Sequence, residues 1–536
     1  MRPMKARPFL AVVLAAAFAL VSSGVLAWWL LWQRGPLALQ RQPLQIPLAA
    51  RFVPRTAPLS LHWLVAPDQP AAYARAVAPP RQRGQAAAAL DRLRDGAFAA
   101  AGLDYRSELA PWLGRESSLA LITPVDDDAP PGWVLALRSR DSDGARRFLQ
   151  RFWQTRSLAG TDLQISSYRG MGLISGRGAL LGQQPQPLAT ALINDDLVLI
   201  GSGRGVLEQA LDVSQIDELN QAASPALAQA VQRLGAGVAL LTARPEAMRS
   251  WLGLRDPGPA QELVAALQPS GRSLQLDALL QVRDPLPPLA VADGERLLQA
   301  LKAPAASLAL LSRPAQLLAA SSAQNPWQSL LAPLLEPLIA QAGGPLPALV
   351  AAADDGPLLW AQQPEGWLLG TATTSPSAEA LQDSLAAQGY SGSPLESRGQ
   401  ALQVWTRLQA RPAKGNPDQL QAELAGARAV EAGWAWWGQG LAVVQQQHEG
   451  RRPPAERLQQ LEQLATPEAP FQWAMDGPIA RQLLGSWRPW GLLNTLASTP
   501  LTPVVEGAAL SLEPEPDPDP GQGRSLHLRG RLALGA

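Results

Sequence analysis

One stretch near the start, Phe9–Trp32, constrains this chain more than any other: it reads FLAVVLAAAFALVSSGVLAWWLLW, without a charged residue. A helix of that length, rising about 1.5 Å per residue, runs about 36 Å and crosses the ~30 Å hydrocarbon layer of a bilayer with some tilt. Arg2, Lys5 and Arg7 precede it with no acid among them. By the positive-inside rule that end stays in the cytoplasm and the bulk of the chain lies on the far side. Trp28, Trp29 and Trp32 gather at the exit end, where amphipathic rings favour the headgroup layer. A cleaved signal peptide is the rival reading, because Val25-Leu-Ala27 fits a small-residue cut before Trp28. The apolar run is longer than a signal-peptide core and continues past that cut, which favours a retained single-pass anchor. Later apolar windows such as 330–346 are broken by Pro333, Pro337 and Pro345 and carry Glu336.

The whole chain has 536 residues, more than one compact core serves, so two or more domains are expected. Apolar residues make up 47%, too many for a wholly disordered chain. The 45 basic and 45 acidic residues cancel, which argues against a nucleic-acid groove. There is no cysteine, so thiol chemistry, disulfides and thiolate metal sites are excluded. His62, His448 and His527 are the three histidines, too dispersed in sequence for a three-His zinc site to be the expectation.

Taken in order, residues 33–52 read as a Pro-broken stalk after the 1–8 tail and the 9–32 anchor. A strand at Leu59–Val65 then opens the folded part. Helical spacing of Leu90, Leu93, Ala97 and Ala101 marks a helix over 85–101. Strands are expected at 117–122 and 133–138, followed by a helix from about Ser142 to Trp153 with Phe148, Leu149 and Phe152 as its buried stripe. Further strands fall at 163–168, 172–175, 197–201, 237–242 and 273–282, with helices at 206–211, 226–234 and 245–252.

The second half echoes this outline. Ser60-Leu-His-Trp-Leu-Val65 has Ser307-Leu-Ala-Leu-Leu-Ser312, and Gly132-Trp-Val-Leu-Ala136 has Gly366-Trp-Leu-Leu-Gly370. Tyr168-Arg-Gly170 has Ser397-Arg-Gly399, and Asp196–Ile200 has Gly440–Val444. Val238–Leu252 matches Phe471–Trp487, and Gly271-Arg-Ser-Leu274 matches Gly523-Arg-Ser-Leu526. Six collinear matches read as an internal duplication whose period is too long for a solenoid. Many strands alternate, as Leu274, Leu276, Ala278 and Leu280 do against Gln275, Asp277 and Gln281, the pattern of antiparallel sheet with one buried face. The expected fold is α+β: the transmembrane helix, then two related modules of antiparallel sheet backed by helices, 53–285 and 304–536, joined by a linker at 286–303.

No convergent catalytic signature stands out. Ile200-Gly-Ser-Gly-Arg-Gly205 follows a strand and precedes a helix, but it lacks both the third Gly of a dinucleotide fingerprint and a Gly-Lys-Ser/Thr, so it reads as a tight turn. Gln445–Gly450 is taken as its replacement in the second half. No G-x-S-x-G elbow is present; Gly172-Leu-Ile-Ser-Gly176 has the wrong spacing. The acid pairs Asp126–Asp128, Asp195–Asp196 and Asp354–Asp355 sit in expected turns, where Asp bonds its own backbone. Glu513-Pro-Glu-Pro-Asp-Pro-Asp-Pro520 lacks the spacing of a Ca²⁺ loop and reads as a solvated loop between two terminal strands. No catalytic, metal or cofactor residues are assigned. Tryptophan is the unusual aromatic, eighteen against seven Phe and four Tyr. Exposed Trp clusters anchor partners, whereas buried Trp between sheet and helix is the commoner arrangement. Trp436, Trp437, Trp487 and Trp490 are the candidate binding surface.

Pro58-Leu-Ser-Leu61, Leu113-Gly-Arg-Glu-Ser-Ser-Leu-Ala-Leu121 and Gly132-Trp-Val-Leu-Ala-Leu-Arg138 carry a family likeness, completed by Asp141, Ala145, Phe148, Tyr168-Arg-Gly170 and Asp195–Ile200. On these residues the chain resembles an uncharacterised family of cyanobacterial membrane-anchored proteins, classed as a domain of unknown function. The resemblance implies a plasma or thylakoid membrane, with the bulk in periplasm or lumen, and brings no reaction or catalytic residues. The expected function is a membrane-anchored binding or assembly module outside the cytoplasm, with a protein partner at the membrane surface and no nucleic acid. Two alternatives stand beside it: an extracytoplasmic hydrolase using Asp/Glu or Ser residues, and a carrier of an apolar ligand between the modules.

Overall fold

A computed structural model describes residues 35–123, 131–156, 163–178, 185–253, 258–284, 294–318, 344–374, 378–413, 416–450, 453–467, 469–515 and 525–535, with Trp327, Leu331, Leu335, Leu338, Ile339 and Ala342. The anchor 9–32, the tail before it and Asp126–Asp128 lie outside the described residues. No described helix is long and apolar enough to cross a membrane.

The first half runs β1 (Leu59–Trp63), α1 (Gln69–Val77), α2 (Arg83–Ala100), β2 (Leu113–Ile122), β3 (Gly132–Ser139), α3 (Ser142–Arg156), β4 (Gln164–Tyr168), β5 (Met171–Gly178), β6 (Gln186–Ile193) and β7 (Leu197–Gly201). It continues through α4 (Arg204–Val213), α5 (Pro225–Leu234), β8 (Ala239–Ala243), α6 (Pro245–Ser250), β9 (Ala260–Ser270) and β10 (Ser273–Val282). The second half has α7 (Glu295–Ala300), β11 (Ser307–Leu311), α8 (Pro314–Leu318), α9 (Leu346–Ala353), β12 (Leu358–Gln363), β13 (Gly366–Ala372), α10 (Ala378–Ala386), β14 (Ser391–Ser397), β15 (Gln400–Ala413), β16 (Asn416–Glu431) and β17 (Trp434–Gly438). Then come α11 (Leu441–Glu449), α12 (Ala455–Glu462), β18 (Phe471–Asp476), α13 (Gly477–Ser486), α14 (Arg488–Ala497), β19 (Val505–Pro514) and β20 (Ser525–Leu534).

All these strands join one 20-stranded sheet, and every ladder in it is antiparallel. Across the sheet the order is β4-β5-β6-β7-β3-β2-β1-β8-β9-β10 and then β20-β19-β18-β11-β12-β13-β17-β16-β15-β14. The second series repeats the first in reverse about the β10–β20 seam, where Asp277 faces Arg529. Turn geometry repeats as well. Arg169–Gly170, between β4 and β5, and Arg398–Gly399, between β14 and β15, both have positive φ at the two central residues, the primed geometry that suits the twist of a two-residue hairpin.

The α+β architecture with antiparallel sheet is as expected, but helices cover both faces of the sheet. On one face α4 and α5 pack on the first half, and α7, α11 and α12 on the second. On the other, α3 and α6 cover the first half, while α9, α13, Trp327 and Leu331 help cover the second. That is why β7 and β11 are buried at every residue rather than at alternate ones.

The stretch expected as a stalk is part of the first half from Gly35 onward. Leu39, Leu44, Ala49 and Phe52 are buried in its core clusters, and the Ala49 N–H donates to Glu116 Oε1 at 2.9 Å. The end of the expected linker is core too, since Leu297, Leu301 and Ala303 are fully buried.

Two sequence matches shift. Leu441–Glu449, expected to begin as a strand, is a helix, and the counterpart of β7 is β17 with Trp434, Trp436 and Trp437 inside it. A four-residue apolar run suits either structure; here β13 and β16 already pair both edges of β17. Gly438-Gln-Gly440 therefore stands where Gly201-Ser-Gly203 does, and both halves keep a glycine turn there. In β11, Leu308 and not Ser307 occupies the place of Ser60, a one-residue slip that exchanges the two faces.

Candidate functional site at the seam

The seam is built by β10 and β20 and flanked by β9 and β19. Period-two alternation sends Leu274, Leu276, Leu280, Leu526, Leu528 and Leu532 to one face and Asp277, Gln281, Ser525, His527 and Arg529 to the other. On the polar face α5 covers Val264 and Leu279. Beside it lies a recess of about 320 Å³, lined by Gln229 and Arg233 of α5, Gln281 of β10, and Glu515 and Ser525 of the second half.

Beside the recess, polar and ionisable groups of both halves meet across the seam. His527 Nε2 meets Asp277 Oδ1 of the first half, one step diagonal to its ladder partner. His527 Nδ1 lies 3.4 Å from Glu515 and 3.6 Å from Glu513. Arg233 reaches Glu515 at 3.7 Å, and Arg529 reaches Glu513 at 3.8 Å. Burial pushes the Glu513 carboxyl above its ordinary range, against the pull of Arg529 and His527. Burial also lowers the Arg531 guanidinium from its usual value. The recess itself offers both donors and acceptors, Arg233, Gln229, Gln281 and Ser525 beside the Glu515 carboxylate, and suits a polar or zwitterionic group. Among the described residues no hydroxyl hydrogen-bonds His527, and no group of three or more His, Asp or Glu is arranged to hold a metal ion.

The four Trp candidates do not form one surface. Trp436 and Trp437 point to opposite faces of β17 and are buried. Trp437 donates to Thr371 Oγ1 at 3.1 Å and stacks on Trp405. Trp490 is buried against Thr502. Trp487 is exposed, and its indole N–H donates to the Leu252 carbonyl at 2.8 Å, bridging the halves. Their pattern in sequence is that of strand and helix core, with Trp487 the exception.

Other candidates are absorbed by the fold. His62 is buried between Ser118 Oγ at 2.8 Å and Ser60 Oγ at 3.1 Å, in a network that runs on to Thr242 and Gln221. Ser202 of the glycine turn accepts the Trp133 N–H at 2.8 Å and donates its own N–H to the Trp133 carbonyl, extending the β3–β7 ladder. Asp195 pairs with Arg146 at 2.6 Å, and Asp354 caps its own turn at the Gly356 N–H. His448 pairs with Glu431, which also holds Lys302. The seam cluster escaped sequence reasoning because its members come from three strands of the two halves, β10, β19 and β20, and from helix α5. The one available signal was the repeated Gly-Arg-Ser-Leu, whose Ser-Leu opens both β10 and β20.

Fold and seam together define an α+β protein on a continuous antiparallel sheet whose two halves share a polar recess. The chain belongs to the family described as "Protein of unknown function (DUF3352)", whose model matches residues 13–472. No curated protein matches it. Among solved structures it is similar to "Structure of crystal form III of TP0453", at 9% identity and TM-score 0.28, covering 48% of this chain and 87% of that one. Crystal form I of the same protein gives 10% identity and TM-score 0.27, with 48% and 85% covered. Crystal form IV gives 10% and 0.25, with 44% and 81% covered.

Proposed function

We propose that this chain is a binding or assembly protein built from two related α+β modules by duplication, the first running from residue 35 to 284 and the second from 294 to 535, and held outside the cytoplasm by the segment 9–32. The recess at the seam carries the binding reading: both halves contribute charged groups to a preformed concavity. Support for the anchor comes from the charge-free run Phe9–Trp32 and the cations Arg2, Lys5 and Arg7 before it. The recurrence of strand order and hairpin turns supports the duplication.

Two experiments test this. The full chain should stay with membranes through an alkaline carbonate wash, and a single cysteine at Ser391→Cys on the exposed strand β14 should react with an impermeant maleimide added to intact cells. Release by carbonate, or no labelling, removes the anchor or its orientation. A pulldown from detergent-solubilised membranes should recover a partner, and Gln281→Trp, which fills the recess, should lose it with little change in melting temperature. Recovery of nothing above background counts against the assembly reading. The raised Glu513 carboxyl favours a hydrolase as second reading, and turnover of an ester or glycoside panel that Glu513→Gln abolishes would select it.

A further inference from the structure

In the middle of the first half, on the face opposite the recess, the sheet carries leucines that no side chain among the described residues closes over fully. Leu61 of β1 sits directly between Leu119 of β2 and Leu241 of β8. Leu61 is 41% and Leu119 40% exposed, although both lie in interior strands, and Leu276 of β10 is 36% exposed. Interior strand positions on a covered face are normally buried, and contiguous exposed apolar area marks a binding surface. Helix α2, which packs on α1 and α14, buries only Ala87 and Phe98, leaving Leu90 and Leu93 part-exposed.

The second half shows what such a face takes. The same cross-strand row there is Trp360–Ala309–Trp473, exposed by 2%, 0% and 2%. Its tryptophans fill the space, and Trp327, Leu331, Leu335 and Leu338 join the same cluster. One sheet design thus occurs twice, once filled by its own indoles and aliphatic side chains and once open. The filling is hydrocarbon, with the sheet contributing no charge to the row.

We propose that the open row Leu119–Leu61–Leu241 is the floor of a binding trough for the hydrocarbon chain of a lipid. This rests on the binding reading above and names its ligand class, while using a different face from the recess. A membrane-held protein would meet such chains at high local concentration, and burying one against the leucines removes apolar area from water on both sides.

The test uses the full chain in lipid nanodiscs containing a palmitate that bears a diazirine, with cross-linked peptides mapped by mass spectrometry. Peptides covering 59–63, 113–122 and 239–243 should be labelled at least fivefold above the exposed edge strand β4. The double variant Leu119→Trp with Leu241→Trp, which installs the second half's own filling, should lose that labelling at least fivefold. Labelling of 9–32 should stay unchanged as the internal reference. Leu61→Gln serves as a second variant that adds no bulk and should also reduce labelling. Trough labelling no higher than at β4, or unaltered by both variants, overturns the proposal. So does a dimer in sedimentation that the double variant dissolves, which would make the row an interface between copies. Either failure leaves the partner pulldown at the recess standing on its own result.

Discussion

His62 shows how a residue with catalytic potential becomes a structural one. Fully buried among Ser60, Ser118, Thr242 and Gln221, it is held down to a pKa of about 4 by burial, which disfavours the imidazolium. The unfolded chain binds a proton at His62 near the ordinary value of 6.5 and the folded chain does not. The stabilisation is therefore complete above pH 6.5 and lost as pH falls toward 4. Between pH 7 and 5 this one group should cost about 2 kcal/mol of folding stability. Denaturant titrations of wild type and His62→Gln at both pH values check it. The variant should show a pH dependence flatter by that amount, and equal slopes would mean that His62 is protonated in the fold.

At the scale of elements, helix contacts across the halves depend on small residues. On α2, Gly96 faces the backbone of Leu496 on α14, and a Cβ there would overlap the Leu496 carbonyl. Gly96→Ala should therefore lower stability by roughly 1–3 kcal/mol through forced separation of the two helices, even though alanine is the better helix former. Thermal melting reads this directly, and a raised melting temperature would show that α2 and α14 part freely. Elements with strong periodicity, such as α3 and β10, were legible in the sequence. The strands β6 and β9 were not. Ala260–Ser270 is rich in Ala, Leu, Gln and Glu, a helical composition, and becomes a strand because β8 and β10 offer ladders on both sides.

For the whole molecule, the β10–β20 ladder makes two halves into one sheet, and its register is open to test. Ser273 and Ala533 are direct partners, and directly opposed antiparallel residues sit about 4.5–5.5 Å apart at Cα, within disulfide reach. Because the chain has no cysteine, Ser273→Cys with Ala533→Cys should close one bond on mild oxidation, seen as a mobility shift on a non-reducing gel. Ser273→Cys with Leu532→Cys should fail, since a step of one residue turns the side chain to the other face.

The sequence alone determined what depends on local pattern: the charge-free run 9–32, the hairpin glycines, the strong amphipathic helices and the collinear echo between halves. These rest on periodicity and backbone preference, which a linear string records. Tertiary structure alone decided that helices cover both faces, that Trp436 and Trp437 are core, and that Asp277, Glu513, Glu515 and His527 meet at the seam. It alone decided that the row through Leu61 stays open where its counterpart is closed by tryptophan. Such facts depend on which strand becomes the neighbour of which, and residues from distant segments acquire a shared environment only when the ladders form.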